Sequence, residues 1–181
     1  MTCIAGIATG GAVYLAGDSA GVAGWDLVIR ADQKVFRNGD FVMGFTSSFR
    51  MGQLLRYAFQ PPKHDPSVDV YQYMVTTFVD AVRDCLIAGG VARKESEQES
   101  GGTFLVGYQG RLFSIHEDYQ VRESECGFDA VGCGAQVALG ALYAASHLEP
   151  IDRLKLALDA AEAFSVGVRA PFVFLSSKAM P

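Results

Sequence analysis

Thr2-Cys3-Ile4-Ala5-Gly6-Ile7-Ala8, the Thr9-Gly10-Gly11 turn, and Ala12-Val13-Tyr14-Leu15-Ala16-Gly17-Asp18-Ser19 open the chain. Two runs of small and β-branched residues separated by glycines read as a β-hairpin, so the chain begins inside a sheet. A second hairpin follows over Gln33–Arg37 and Asp40–Phe45, with Asn38-Gly39 between them as a type I′ turn. Four strands are thus expected in the first 46 residues.

Helical spacing then takes over. Met51, Leu54, Leu55 and Phe59 recur at three and four residues until Pro61-Pro62, and Val68–Ala88 carries Val70, Met74, Phe78, Val82 and Leu86 behind the capping candidates Asp65 and Ser67. The polar, aperiodic stretch 92–102 reads as an exposed loop. Strands return at Thr103–Tyr108 and Arg111–Ile115 around Gln109-Gly110, with a short addition at Tyr119–Val121. Helices over Ala135–Ser146 and Pro150–Gly167 and a last strand at Pro171–Leu175 complete the order. No internal repeat is present. Strands and helices grouped in this way predict a single α+β domain over residues 1–181, with two antiparallel sheets packed together and covered by helix pairs on both outer faces.

Half of the 181 residues are hydrophobic, enough for one sizeable core. The net charge of -5 disfavours nucleic acid as a partner, because phosphate binding needs clustered Lys and Arg. No apolar run is long enough to span a membrane, and Gly10-Gly11 interrupts the first apolar stretch before it reaches signal-peptide length, so a cytoplasmic location is expected. Cys3, Cys85, Cys126 and Cys133 lack CxxC spacing and read as reduced thiols. His64, His116 and His147 lie far apart, so neither a metal nor another cofactor is expected.

The chemistry gathers at the N-terminus. A threonine hydroxyl is a poor nucleophile unless a base stands beside it, and the α-amino group of the same residue, with a pKa near ~8, can serve once Met1 is removed. Two strands leading back to the N-terminus bring Asp18 and Lys34 within reach of Thr2. A Lys34 cation would stabilise the alkoxide while Asp18 holds the lysine charged; the plain alternative is an ordinary Asp–Lys pair.

Thr2-Cys3-Ile4-Ala5-Gly6, Ala16-Gly17-Asp18-Ser19 and Lys34-Val35 resemble the opening of proteasome β subunits and of the HslV peptidase, N-terminal nucleophile hydrolases whose Asp and Lys follow the nucleophilic Thr by 16 and 32 residues. Thr2, Asp18 and Lys34 reproduce both intervals. The resemblance implies a four-layer αββα sandwich and a threonine peptidase with Thr2 as nucleophile, acting on peptides or unfolded protein. It also implies assembly of copies into a ring or helical stack, with an ATPase unfoldase as a partner that such chambers can use. It places the oxyanion donor at the Ser48 backbone and peptide pairing at Val22. The side chain preceding the cut would then be surrounded by Gly21, Asp32, Phe36, Thr46, Arg50 and Leu54, with Asp32 and Arg50 neutralising each other. Two departures are visible: Cys133 stands in Gly132-Cys133-Gly134 where the family has Ser beside the Thr amine, and Ala163 and Val166 fall where it has Asp and Ser, with Glu162 one position away. A catalytically silent scaffold of the same fold, or a small-molecule amidase using Thr2 or a further-trimmed Cys3, are the other readings these departures admit.

Overall fold

The structure, a computed structural model, describes residues 1–95 and 98–178. The opening hairpin forms as read: β1 (Cys3–Thr9) pairs antiparallel with β2 (Ala12–Gly17), and Gly10 and Gly11 both adopt positive φ, 57° and 68°, in the turn. β12 (Phe128–Gly132) joins the far side of β1 and β13 (Val173–Ser176) the far side of β2, giving a four-stranded sheet ordered β12-β1-β2-β13. The second sheet contains β5 (Val35–Asn38), β6 (Phe41–Phe45), β9 (Phe104–Tyr108), β10 (Arg111–Ile115) and β11 (Val121–Glu123), ordered β11-β10-β9-β6-β5. All the pairings are antiparallel.

Three apolar clusters account for the layers. Ile4, Leu15, Val35, Val42, Leu105 and Val131 pack between the two sheets. On the outer face of the first sheet, Cys3, Ala5 and Ile7 meet Leu142 of α4 (Ala135–Ala144) and Leu154 and Leu158 of α5 (Pro150–Phe164). On the outer face of the second sheet, Met43, Phe104 and Phe113 meet Met51 and Leu55 of α1 (Phe49–Tyr57) and Leu86 of α3 (Val79–Ala88). β1 therefore sends Ile4 to one core and Cys3 and Ala5 to the other. An interior strand buried on both faces reads as a continuous apolar run rather than as an alternation. Gly6 faces the same way as Ile4, and a Cβ there would lie 3.0 Å from Leu112 Cδ1 of the second sheet, so the sheets approach closely at that point.

Several local details differ from the sequence expectation, each for a physical reason. The second hairpin turns on Gly39-Asp40 rather than Asn38-Gly39, with Gly39 at φ 56°; Asn38 stays in β5, where its amide donates to Leu55 O and Phe59 O and ties off the end of α1. An extra hairpin, β3 (Ala20–Ala23) with β4 (Asp26–Ile29), escaped notice because Leu27, Val28 and Ile29 are all exposed and show no alternation. The first 46 residues thus hold six strands rather than four. β12 was also missed, because Asp129 interrupts it; that carboxylate is buried against Arg122 Nη2 at 2.8 Å and the Ala130 N–H at 2.8 Å. Stretch 92–102 is not irregular throughout: β7 (Arg93–Glu95) pairs with β8 (Gln98–Ser100), strands too short and polar for a period-two signal, while residues 96 and 97 lie outside the described residues.

The helix expected over Val68–Ala88 is three pieces. Asp69, not Asp65 or Ser67, caps α2 (Val70–Tyr73) by accepting from the Tyr71 and Gln72 N–H groups. A π turn over Met74–Phe78 then leads into α3, and within it Thr76 Oγ1 donates to Gln72 O at 2.7 Å, a side-chain bond that competes with the helical ladder. The last helix ends at Phe164, three residues before Gly167. Among the described residues no helix is long and apolar enough to cross a membrane.

Candidate active site

The ends of four elements meet at Thr2. It stands just before β1, 4% exposed, and the turn 132–134 grips its backbone: Thr2 N–H donates to Cys133 Sγ at 3.3 Å, and Thr2 O accepts from Gly134 N–H at 3.3 Å. Gly132 makes this fit possible. Its φ is 101°, and a Cβ on it would fall 2.2 Å from Thr2 O, a distance no other residue tolerates.

Asp18 follows β2 and Lys34 precedes β5, and both side chains are fully buried. Lys34 Nζ donates to Thr2 Oγ1 at 2.9 Å and to Asp18 Oδ1 at 2.8 Å. The Asp18 carboxylate is further saturated by backbone donors: Cys3 N–H at 3.0 Å, Ala20 N–H at 2.9 Å and Arg169 N–H at 3.2 Å. Such a carboxylate is held in a fixed orientation by four donors, which a surface Asp–Lys pair is not. Burial pulls the Lys34 ammonium below the ordinary lysine value, while the charge and hydrogen bond of Asp18 act against that fall. With Met1 attached, the Thr2 nitrogen is an amide, and the Thr2 hydroxyl donates to Met1 O.

The remaining expected residues divide. Thr46 is buried, its Oγ1 lying 3.4 Å from where a Cβ on Gly132 would sit. Cys133 touches the Thr2 nitrogen as expected and is exposed on its other side. Gly21 and Val22 lie in β3, half-buried. Ser48 caps α1 by accepting from Met51 N–H at 3.3 Å; its own N–H is turned onto Thr46 O at 2.8 Å across Ser47, which has φ 69°. The expected oxyanion donor is therefore engaged within its own loop. Phe36 and Leu54 are buried in the core under α1, and Arg50 is exposed. The expected neutralisation of Asp32 by Arg50 is replaced by a two-point pair with Arg30, Nε to Oδ1 at 2.7 Å and Nη2 to Oδ2 at 2.6 Å.

Sequence reasoning missed three participants. Ser165 caps the end of α5 and brings its hydroxyl 3.2 Å from Cys133 Sγ, so neither Ala163 nor Val166 is the residue that reaches this place. Glu162 is occupied elsewhere, accepting from Ala170 N–H at 2.9 Å. The signal for Ser165 was its position as a polar residue straight after the apolar helix, a capping cue rather than a spacing. Arg169 contributes only its backbone N–H, which no side-chain pattern could reveal. Phe49 stands 5.8 Å, ring centroid to Nζ, from Lys34 and was passed over as a helix residue. Among the described residues no cluster of His, Cys, Asp or Glu could hold a metal ion.

No family model and no curated protein matches the sequence. Solved structures do match. BPH of Thiobacillus denitrificans in complex with epoxomicin superposes with TM-score 0.79 at 22% identity, covering 99% of this chain and 100% of that one. HslV of Trypanosoma brucei gives 0.68 at 18% identity, covering 97% and 98%. Anbu, an ancestral β-subunit, of Yersinia bercovieri gives 0.64 at 16% identity, covering 97% and 81%. The chain therefore has, over nearly its whole length, the αββα fold of the proteasome-type N-terminal nucleophile hydrolases.

Proposed function

We propose that this chain is a threonine-type amide hydrolase that cuts peptide bonds with Thr2 as nucleophile, once the Met1–Thr2 bond has been cleaved. The observation that carries the reading is the fully buried Lys34 Nζ, 2.9 Å from Thr2 Oγ1 and 2.8 Å from Asp18 Oδ1. Burying an ammonium is costly and gives little stability in return for an ion pair. Placed against a hydroxyl, however, it lowers the cost of forming an alkoxide.

After cleavage, the freed Thr2 amine takes the hydroxyl proton directly or through a water, and Lys34 stabilises the oxygen as it attacks the carbonyl. Asp18 keeps Lys34 charged and in place. The amine then returns its proton to the leaving nitrogen, and water releases the acyl group from Thr2. Cys133 Sγ stands beside the amine and positions it, backed by Ser165 Oγ at 3.2 Å, in the place where the resembling family has oxygen-bearing side chains. The Ser48 N–H serves as oxyanion donor when a substrate carbonyl displaces Thr46 O from it. The unpaired edge of β3 at Gly21 and Val22 suits an extended peptide. Cys3 is a poorer candidate nucleophile: it is fully buried, and burial, with a contribution from the Asp18 charge, pushes its thiol up to about 12. Copies of the chain assemble through apolar surface such as the β3–β4 hairpin, where Trp25, Leu27, Val28 and Ile29 are exposed.

A peptide epoxyketone with alanine beside its warhead, of the same class as the epoxomicin that the Thiobacillus protein binds, provides the test. Protein with Thr2 at its N-terminus should gain the mass of one inhibitor, and Thr2→Ala and Lys34→Ala should gain none. Folded protein with a free Thr2 amine that takes up neither this epoxyketone nor a peptide β-lactone would overturn the proposal.

A further inference from the structure

Arg30 and Phe49 pack together beside Lys34. Phe49, half-buried at the start of α1, has its ring centroid 5.8 Å from Lys34 Nζ, which itself donates to Thr2 Oγ1. The Arg30 guanidinium covers that ring at 3.9 Å from its centroid. Its stem lies across β3, because a Cβ on Gly21 would meet Arg30 Cδ at 2.6 Å. The side chain therefore crosses from the hairpin to the helix. Both ends of this bar are fixed: the Arg30 N–H donates to Ser19 O at 2.9 Å, one residue from Asp18, and Asp32 holds Nε and Nη2 in a two-point grip.

Resting on the reading of Thr2 as the nucleophile, we infer that Arg30 is a specificity-determining residue: as a bar across Phe49 it confines the substrate side chain preceding the cut bond to a small one. A methyl group fits beside the bar without disturbing it. A leucine or phenylalanine side chain reaches the Phe49 ring only by expelling the guanidinium, which gives up its stacking on the ring and strains both bonds to Asp32. An acidic side chain gains little, because Asp32 already neutralises Arg30. Asp32 acts through Arg30 and is a positioning residue.

The test uses fluorogenic peptides identical except for Ala, Leu, Phe or Asp before the cut bond, with wild type, Arg30→Ala and Asp32→Ala, each carrying Thr2 at its N-terminus. The readout is the ratio of kcat/KM between peptides within one variant, which cancels differences in folded or active fraction. Wild type should favour Ala. Arg30→Ala should raise the Leu-to-Ala and Phe-to-Ala ratios about tenfold or more, the scale on which apolar pockets discriminate. Asp32→Ala should move them the same way by less. Equal wild-type cleavage after Ala and Leu, a preference for Asp, or an unchanged ratio in Arg30→Ala would overturn the inference while leaving Thr2 as nucleophile. If no variant cuts any peptide or takes an epoxyketone bearing alanine beside its warhead, the nucleophile itself is misassigned and the inference falls with it.

Discussion

Replacing Asp18 by Asn tests the centre of the site with little change of shape. The wild-type carboxylate accepts from one ammonium and three backbone N–H groups, and both it and Lys34 are fully buried. Asparagine keeps one acceptor oxygen, turns an NH2 toward donors that have nowhere else to point, and leaves Lys34 charged and alone. Removing one member of a buried pair costs about 3–5 kcal/mol. For a chain of this size that lowers Tm by roughly 6–20 °C, at ~2–4 °C per kcal/mol. The pH dependence fixes the cause. Lys34 already titrates below the ordinary lysine value, and without Asp18 it titrates lower still. Between a depressed folded pKa and the unfolded one near ~10.4, the unfolded chain binds more protons, so stability rises with pH. That rise begins earlier in the variant, so the gap between wild type and Asp18→Asn should be widest at neutral pH and narrow as pH climbs through the Lys34 transition. Urea denaturation followed by circular dichroism at several pH values measures it. A gap under about 1 kcal/mol, or one that stays constant or widens with pH, would refute the claim that Asp18 serves as the counterion of a buried, charged lysine.

Gly132→Ala places a side chain at φ 101° against Thr2 O and should cost about 1–3 kcal/mol while abolishing inhibitor labelling. Gly140→Ala in the exposed middle of α4, where a Cβ meets nothing, should instead stabilise by up to about 1 kcal/mol in the same thermal melt. With a thiol reagent at pH 8, the exposed Cys126 and Cys133 should react in the native protein, whereas Cys3, its pKa pushed up to about 12, should react only on unfolding. Blocking Cys133 should also prevent labelling of Thr2. Trp25, the single tryptophan, is fully exposed at the tip of its hairpin. Its emission should shift to the blue on assembly, and Trp25→Glu should yield a smaller species by light scattering.

The sequence by itself determined the order of the layers and marked Asp18 and Lys34 as partners of Thr2. A strand such as Cys3–Ala8, apolar on both faces, belongs inside two cores, and glycine pairs at tight turns fix its return. With its turn set, the first hairpin had to bring Asp18 to the same end of the sheet as Thr2, and the β3–β4 hairpin, which carries no alternation in the sequence, returns the chain to Lys34 there. Intervals along strands translate directly into distance, because each residue advances the chain by a nearly constant step. Everything that depends on contacts between distant segments was decided only by tertiary structure. Asp129 and the exposed β3–β4 hairpin broke the alternation that marks a strand, because a buried carboxylate paired with a half-exposed arginine and an exposed apolar surface obey different rules from a core face. Ser165 reaches Cys133 from 32 residues away through the packing of α5, and Arg169 reaches Asp18 by a backbone N–H that every residue type carries. Asp32 took Arg30 rather than Arg50 because the hairpin returns Arg30 to the cleft while the start of α1 points Arg50 into solvent. Side-chain type and spacing reveal what a strand offers, but which partner accepts it is settled by where the chain folds back.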